Sequence, residues 1–346
     1  MILLASILAG CTNKKPVVKD DLNIGERVQP LTESGVFRDP DYFNWGASII
    51  KGEDGKYHLF YSRWPRKYEF TCWLTHSEIV HAISDKPEGP YEFVNTALKS
   101  NGPTNPQIIA TNPKIKYFKG KYYLYYVSTH ADTLFIPEDL IEIAKTGYGH
   151  KYWGHLRNNQ RTYVAVSESL FGPWERAEKP IIEPMGPITT ITNNPAVTKG
   201  PDGKYYLIVK GDKPNETQFI RNQAIALAST PVGPYTMHPK PVIGDLDTED
   251  ASLWYDESRG RFYAIFHAHT FIGLITSLDG LNWGKANHYE VTPKRILKAD
   301  DTYLEPDRME RPFVFFEKGE PRVLCLAVKK GNDAYGIFLS LDKKME

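Results

Sequence analysis

DGKYYLIVKG, running from Asp202 to Gly211, is one of five copies of a single strand pattern. The others are DGKYHLFYS from Asp54, KGKYYLYYVS from Lys119, RGRFYAIFHA from Arg259 and GEPRVLCLAV from Gly319. Each copy starts at a Gly-containing turn suited to a tight hairpin. On the N-terminal side of each lies a shorter apolar strand: GASIIKG from Gly46, NPKIKYFKG from Asn112, NPAVTKG from Asn194, DASLWYD from Asp250 and RPFVFFEKG from Arg311. On the C-terminal side, after a variable loop, comes a third strand ending in Ser or Thr: EIVHAISD from Glu78, TYVAVSES from Thr162, QAIALAST from Gln223, FIGLITSLDG from Phe271 and AYGIFLSLDK from Ala334.

The first four repeats close with a turn and an aromatic residue (EGPYEF, FGPWERA, VGPYTM, DGLNW) that begins a fourth, outer strand. Four antiparallel strands repeated five times predict an all-β, five-bladed β-propeller with four-stranded antiparallel blades. The fifth repeat stops soon after its third strand, so its outer strand is expected from the N-terminal segment, about residues 31–43. One helix is expected, PEDLIEIAK from Pro137, in the long second-repeat insertion and capping the mouth.

Residues 1–11 read as a lipoprotein signal. MILLASILAG is too short to span a bilayer, and Leu8-Ala9-Gly10-Cys11 resembles a bacterial lipobox whose Cys11 takes the lipid. Residues 12–30 read as a flexible tether and 31–346 as the propeller. The basic Asn13-Lys14-Lys15 points to the periplasmic membrane face. Cys72 and Cys325 have no metal-ligand spacing and are expected as buried thiols, a bridge between them staying open. Lys plus Arg equals Asp plus Glu at 42 each, so no net field attracts nucleic acid. The 13% aromatic content suits both a β-core and stacking on sugar rings.

An up-and-down meander puts the start of each inner strand, the end of the second and the start of the third at one rim. The inner-strand starts are the pairs Trp45-Gly46, Thr111-Asn112, Asn193-Asn194, Glu249-Asp250 and Glu310-Arg311. Acid–base candidates there are Asp250 and Glu310, with Glu249 and Glu78 assisting; Trp45, Arg63, Asn112, Arg161, Asn194, Lys210, His269 and Arg311 are the substrate-binding candidates. His267 and His269 alternate along one strand, so at most one of them is expected to face the axis, and His269, nearer the rim, is the one expected there. Asp39 and Asp41 read as turn residues, with a shifted catalytic base as the alternative.

With its DGKYYL-type strands, GPY and GPW closures, and TEDASLWYD and MERPFVFF stretches, the chain resembles the five-bladed propeller glycosidases of glycoside hydrolase families 43, 32 and 117. Family 43 implies Asp, Asp and Glu at the openings of the first three inner strands, where this chain has Gly46, Asn112 and Asn194. Carboxylates at strand starts appear only in the fourth and fifth repeats, so either the active pair has moved round the ring or the reaction differs. The expected function is an exo-acting glycoside hydrolase on an extracellular plant or algal oligosaccharide, acidic or sulfated. A uronic-acid polysaccharide lyase, a phosphorylase and a non-catalytic glycan-binding lipoprotein are the alternatives. No cofactor is required by the sequence; an axial Ca2+ or Cl− is compatible with the ring, and no metal ligands are assigned.

Overall fold

The computed structural model describes residues 18–131, 135–216 and 219–342. Five four-stranded antiparallel sheets form the blades. Their inner strands are Tyr42–Lys51, Thr111–Phe118, Thr189–Lys199, Thr248–Asp256 and Arg308–Glu317. The second strands are Tyr57–Pro65, Lys121–Thr129, Tyr205–Asp212, Arg261–Ala268 and Glu320–Lys330. Inner strands of successive blades pack together, and the fifth packs on the first, closing the ring. The fifth blade takes its outer strand, Val36–Phe37, from the N-terminal segment, pairing Val36 with Ile337 and Phe37 with Gly336. That segment is as expected, though the paired part is short.

The repeat has a physical basis in every copy. Its sixth residue (Leu59, Leu124, Leu207, Ala264, Leu324) is fully buried between blades. Lys119-Gly120 and Lys318-Gly319 both have positive φ, as a two-residue hairpin requires. Buried tyrosines contribute to interblade packing: Tyr125 donates to the Pro231 carbonyl at 2.7 Å, tying the second blade to the third. The GPY, GPW and GPY closures share one backbone. Gly89, Gly172 and Gly233 have φ of 95, 85 and 92°, and a Cβ there would meet the following aromatic ring at 3.1–3.2 Å, so glycine is required.

The segment expected to be a tether through residue 30 is part of the domain over its described length. Leu22 and Ile24 are 1% exposed in the core between the fourth and fifth blades. Asp20 accepts from Asn287 and Tyr263, and Asp21 pairs with Arg259 at 2.7 Å. The charged residues that made this stretch look solvated are its ties to the fourth blade. Cys11 and the basic residues after it lie outside the described residues. Cys72 and Cys325 are buried free thiols, and burial pushes the Cys72 thiol up to about 12.

Candidate active site

Each inner strand carries a break in register at the same place. There one residue takes a left-handed backbone: Gly46, Asn112, Asn194, Asp250 and Arg311, with φ between 57 and 66°. A bulge turns neighbouring side chains apart, so the five rim pairs are split. The first member of each pair (Trp45, Thr111, Asn193, Glu249, Glu310) lines a cavity of about 480 Å³ at the mouth of the axis. The second members converge on the axis beneath it.

Those second members form a polar ring. Asn112 Nδ2 donates to Asn194 Oδ1 at 3.0 Å, Asn194 Nδ2 to Asp250 Oδ1 at 2.5 Å, and the Arg311 guanidinium meets the same oxygen at 2.8 Å. Arg311 N donates to Asp250 Oδ2 at 3.2 Å. The stem of Arg311 passes over Gly46, where a Cβ would lie 3.6 Å from its Cγ. A non-glycine residue in this conformation costs about 1–2 kcal/mol, least for Asn and Asp, and the ring bonds offset it. Asp250, expected as a principal acid–base group, is thus a floor brace: its side chain is 1% exposed and both oxygens are taken. Asn194 is likewise in the floor, whereas Asn112 and Arg311 reach both floor and cavity.

The cavity has two unlike walls. Aromatic rings form one: Trp45, Trp64 and Phe70 pack edge to face or tilted at 5.3–6.4 Å, and Tyr148 and Trp153 from the second-repeat insertion meet at 4.6 Å. The insertion has the expected helix, Pro137–Thr146, which buries Leu140 and Ile143, and a second one, Trp153–Asn158, that was not expected. The segment following the expected helix, rather than that helix itself, reaches the cavity. Charged groups from the third, fourth and fifth blades form the opposite wall.

Glu249 bonds Lys210, and Arg221 NH2 lies 2.6 Å from its other oxygen. Burial alone would raise its carboxyl, but Lys210, Arg221 and His267 outweigh burial and hold it well below the usual range. Glu310 is pushed the other way. Its burial, together with the negative charges of Asp250 and Glu249, raises its carboxyl against the opposing pull of His267 and Arg308. Arg308 NH1 is 3.8 Å away, too far for a hydrogen bond. Two carboxyls in one cavity are therefore held on opposite sides of the ordinary value.

Several expected residues are elsewhere. Arg63 and Glu78 pair with each other at 2.8 Å, with the Arg63 guanidinium over Tyr42 and Phe93, and neither lines the cavity. Arg161 turns to Glu183 at 2.7 Å and to the carbonyls of Gln160 and Thr190. In each case strand alternation places the charge on the blade side. Asp39 accepts from Asp41 N, as a turn residue does. Both histidines line the cavity, against the expectation of at most one, because the strand ends at Ala268 and His269 lies past it, bonded to Asp247 at 2.8 Å; His267 is the buried one, with an Nδ1 that has no hydrogen-bond partner. Lys210 and Trp45 line it as expected.

Sequence reasoning missed Arg157, Arg221, Arg308 and Phe219. Arg157, from the short helix Trp153–Asn158, makes a two-pronged pair with Asp212. It belongs to the insertion, which has no repeat register to place it. Arg221 opens its third strand two residues before Gln223, where the repeat pattern begins.

No protein-family model and no curated sequence matches the chain. Solved structures do. A family 117 glycoside hydrolase from the marine bacterium Zobellia galactanivorans is 19% identical with a TM-score of 0.58, over 89% of this chain and 88% of that one. A GH43 β-xylosidase/α-arabinofuranosidase from a compost microbial metagenome is 15% identical with a TM-score of 0.58, over 93% and 96%. Fructan 1-exohydrolase IIa from Cichorium intybus is 15% identical with a TM-score of 0.60, over 88% of this chain and 57% of that one. The resemblance read from the repeats holds at the level of the fold: this chain shares the five-bladed architecture of these glycoside hydrolases.

Proposed function

We propose that this protein is a glycoside hydrolase acting from the chain end of an extracellular oligosaccharide, with Glu310 as proton donor. The observation that carries this reading is the opposite push on Glu310 and Glu249 within one cavity faced by aromatic rings. Glycoside hydrolysis needs one carboxyl that keeps its proton for the leaving oxygen and one that stays ionised beside the developing positive charge at the anomeric carbon. Glu310 suits the first role and Glu249 the second. Tyr148 and Trp153, the accessible rings of the aromatic wall, offer apolar faces to the sugar, with the buried Trp45 and Trp64 packed behind. A floor sealed by the axial ring favours a chain end over a mid-chain segment. Arg221 and Arg308 favour an acidic or sulfated unit.

The test is Glu310→Gln assayed on plant and algal oligosaccharides. The expected outcome is a loss of kcat by about 10²–10⁴-fold with substrate binding retained, and loss of the alkaline limb of the pH profile. Full activity in that variant refutes the assignment. His267 Nδ1, without a hydrogen bond and 3.8 Å from Asp250 Oδ2, shares the cavity with Arg308 and Arg221, which favours a lyase as the second reading; an unsaturated, ultraviolet-absorbing product decides for it. Export as a lipoprotein at the periplasmic membrane face rests on the Leu8–Cys11 run. Radiolabelled palmitate should enter the native chain and be absent from Cys11→Ala.

A further inference from the structure

Beneath the catalytic candidate cavity, the five axial residues enclose a second cavity of about 10 Å³, room for one occupant the size of a water molecule. Lys114, two residues beyond Asn112 on the second blade's inner strand, lines it and is 9% exposed. Its ammonium lies 5.1 Å over the Phe313 ring and has no hydrogen bond or ion pair among the described residues. Arg311 also lines the cavity, and its buried Nε has no hydrogen-bond partner. The carboxylate there, Asp250, is engaged by Asn194 and by Arg311.

We propose that this axial cavity binds one small monovalent anion, of chloride size, between Lys114 and Arg311. Two cationic side chains face one carboxylate, so the cavity lacks one negative charge. The polar groups left over are donors, Lys114 Nζ and Arg311 Nε, and neither can accept. Their partner must be an acceptor; a water molecule supplies the acceptor without the charge, whereas a halide supplies both. Burial, helped by Arg311 and opposed by Asp250, pushes the Lys114 amine down to about 7, and an anion beside it would oppose that shift. Calcium does not fit the same place. It takes six to eight oxygen ligands, and the ring offers a single, already bonded carboxylate beside two cations.

The proposal is independent of the catalytic assignment and is tested on stability. Melting temperature is measured for the full chain in sodium chloride and in sodium acetate at matched ionic strength near pH 6, acetate being too large for the cavity. Chloride should give a saturable rise of about 3–6 °C over acetate, and Lys114→Met should abolish the difference. Identical curves in the two salts overturn the proposal, as does a chloride-specific rise that persists in Lys114→Met. Should that variant not fold, long-wavelength diffraction from crystals of the unaltered protein grown in chloride is decisive. An anomalous peak in the axial cavity supports the site, and a map without one overturns it.

Discussion

Lowering the pH should destabilise this protein through a buried histidine far from the candidate site. His81 is completely buried on the first blade, its ring stacked on Phe60 at 4.7 Å and its Nε2 2.8 Å from His58 Nδ1. His58 in turn leans on Asp54 at 3.1 Å, so Asp54 supports the first imidazole and the second is left to apolar surroundings. Burial, with the His58 charge adding and Asp54 opposing, lowers His81 from 6.5 to about 4. The folded chain therefore refuses a proton that the unfolded chain accepts. Stability is full above about pH 6.5 and falls as pH drops towards 4, at about 1.4 kcal/mol per pH unit for one proton. Over that window the loss from His81 totals about 3 kcal/mol. His76, lowered to about 4 by burial and Lys67, adds a second slope of the same sign. Urea unfolding between about pH 4.5 and 7.5 reads the sum, and His81→Phe, which keeps the stacked ring, should remove about half of it. An unchanged slope in that variant refutes the assignment of a buried neutral imidazole.

Lys210→Met leaves Glu249 with Arg221 alone, and urea unfolding should show a loss of about 3 kcal/mol, partly recovered in the double variant Lys210→Met/Glu249→Gln. Leu22→Ala should cost about 2–3 kcal/mol by the same measurement, where a free tether would give none. Gly233→Ala forces a Cβ against Tyr235 at a positive φ and should lower stability by about 1–3 kcal/mol.

The fold was legible because each blade repeats the same physical need. An inner and a second strand must meet at a tight turn, and the sixth residue of the repeat must be buried, so Leu59, Leu124, Leu207, Ala264 and Leu324 stand in register along the chain. The N-terminal boundary was less legible. Asp20 and Asp21 have the composition of a solvated linker, and nothing local marks them as partners of Tyr263 and Arg259, well over two hundred residues away. The two apolar side chains that anchor the segment, Leu22 and Ile24, are too few to make a periodic signal.

The candidate site divides along the same line. Repeat alignment brings Glu249-Asp250 and Glu310-Arg311 to the rim, but which member of a pair enters the cavity depends on the bulge, and a one-residue change of register exchanges the two faces. Reading Asp250 as an acid followed from its position alone. Its left-handed backbone, 66° in φ, and its three ring bonds make it the support that fixes Arg311 and Asn194. In the fourth blade the cavity-facing carboxyl is one residue back, Glu249, while in the fifth the expected Glu310 is already on the cavity side. Asn112 and Asn194 at the positions where family 43 implies carboxylates have a corresponding reason: together with Asp250 they make a hydrogen-bonded chain that three ionised carboxylates, repelling one another around the axis, could not. Replacing Asn194 with Asp should set a second carboxylate against Asp250 and cost stability. The floor of this ring and the cavity wall proposed for acid–base chemistry are thus formed by different members of the same five pairs.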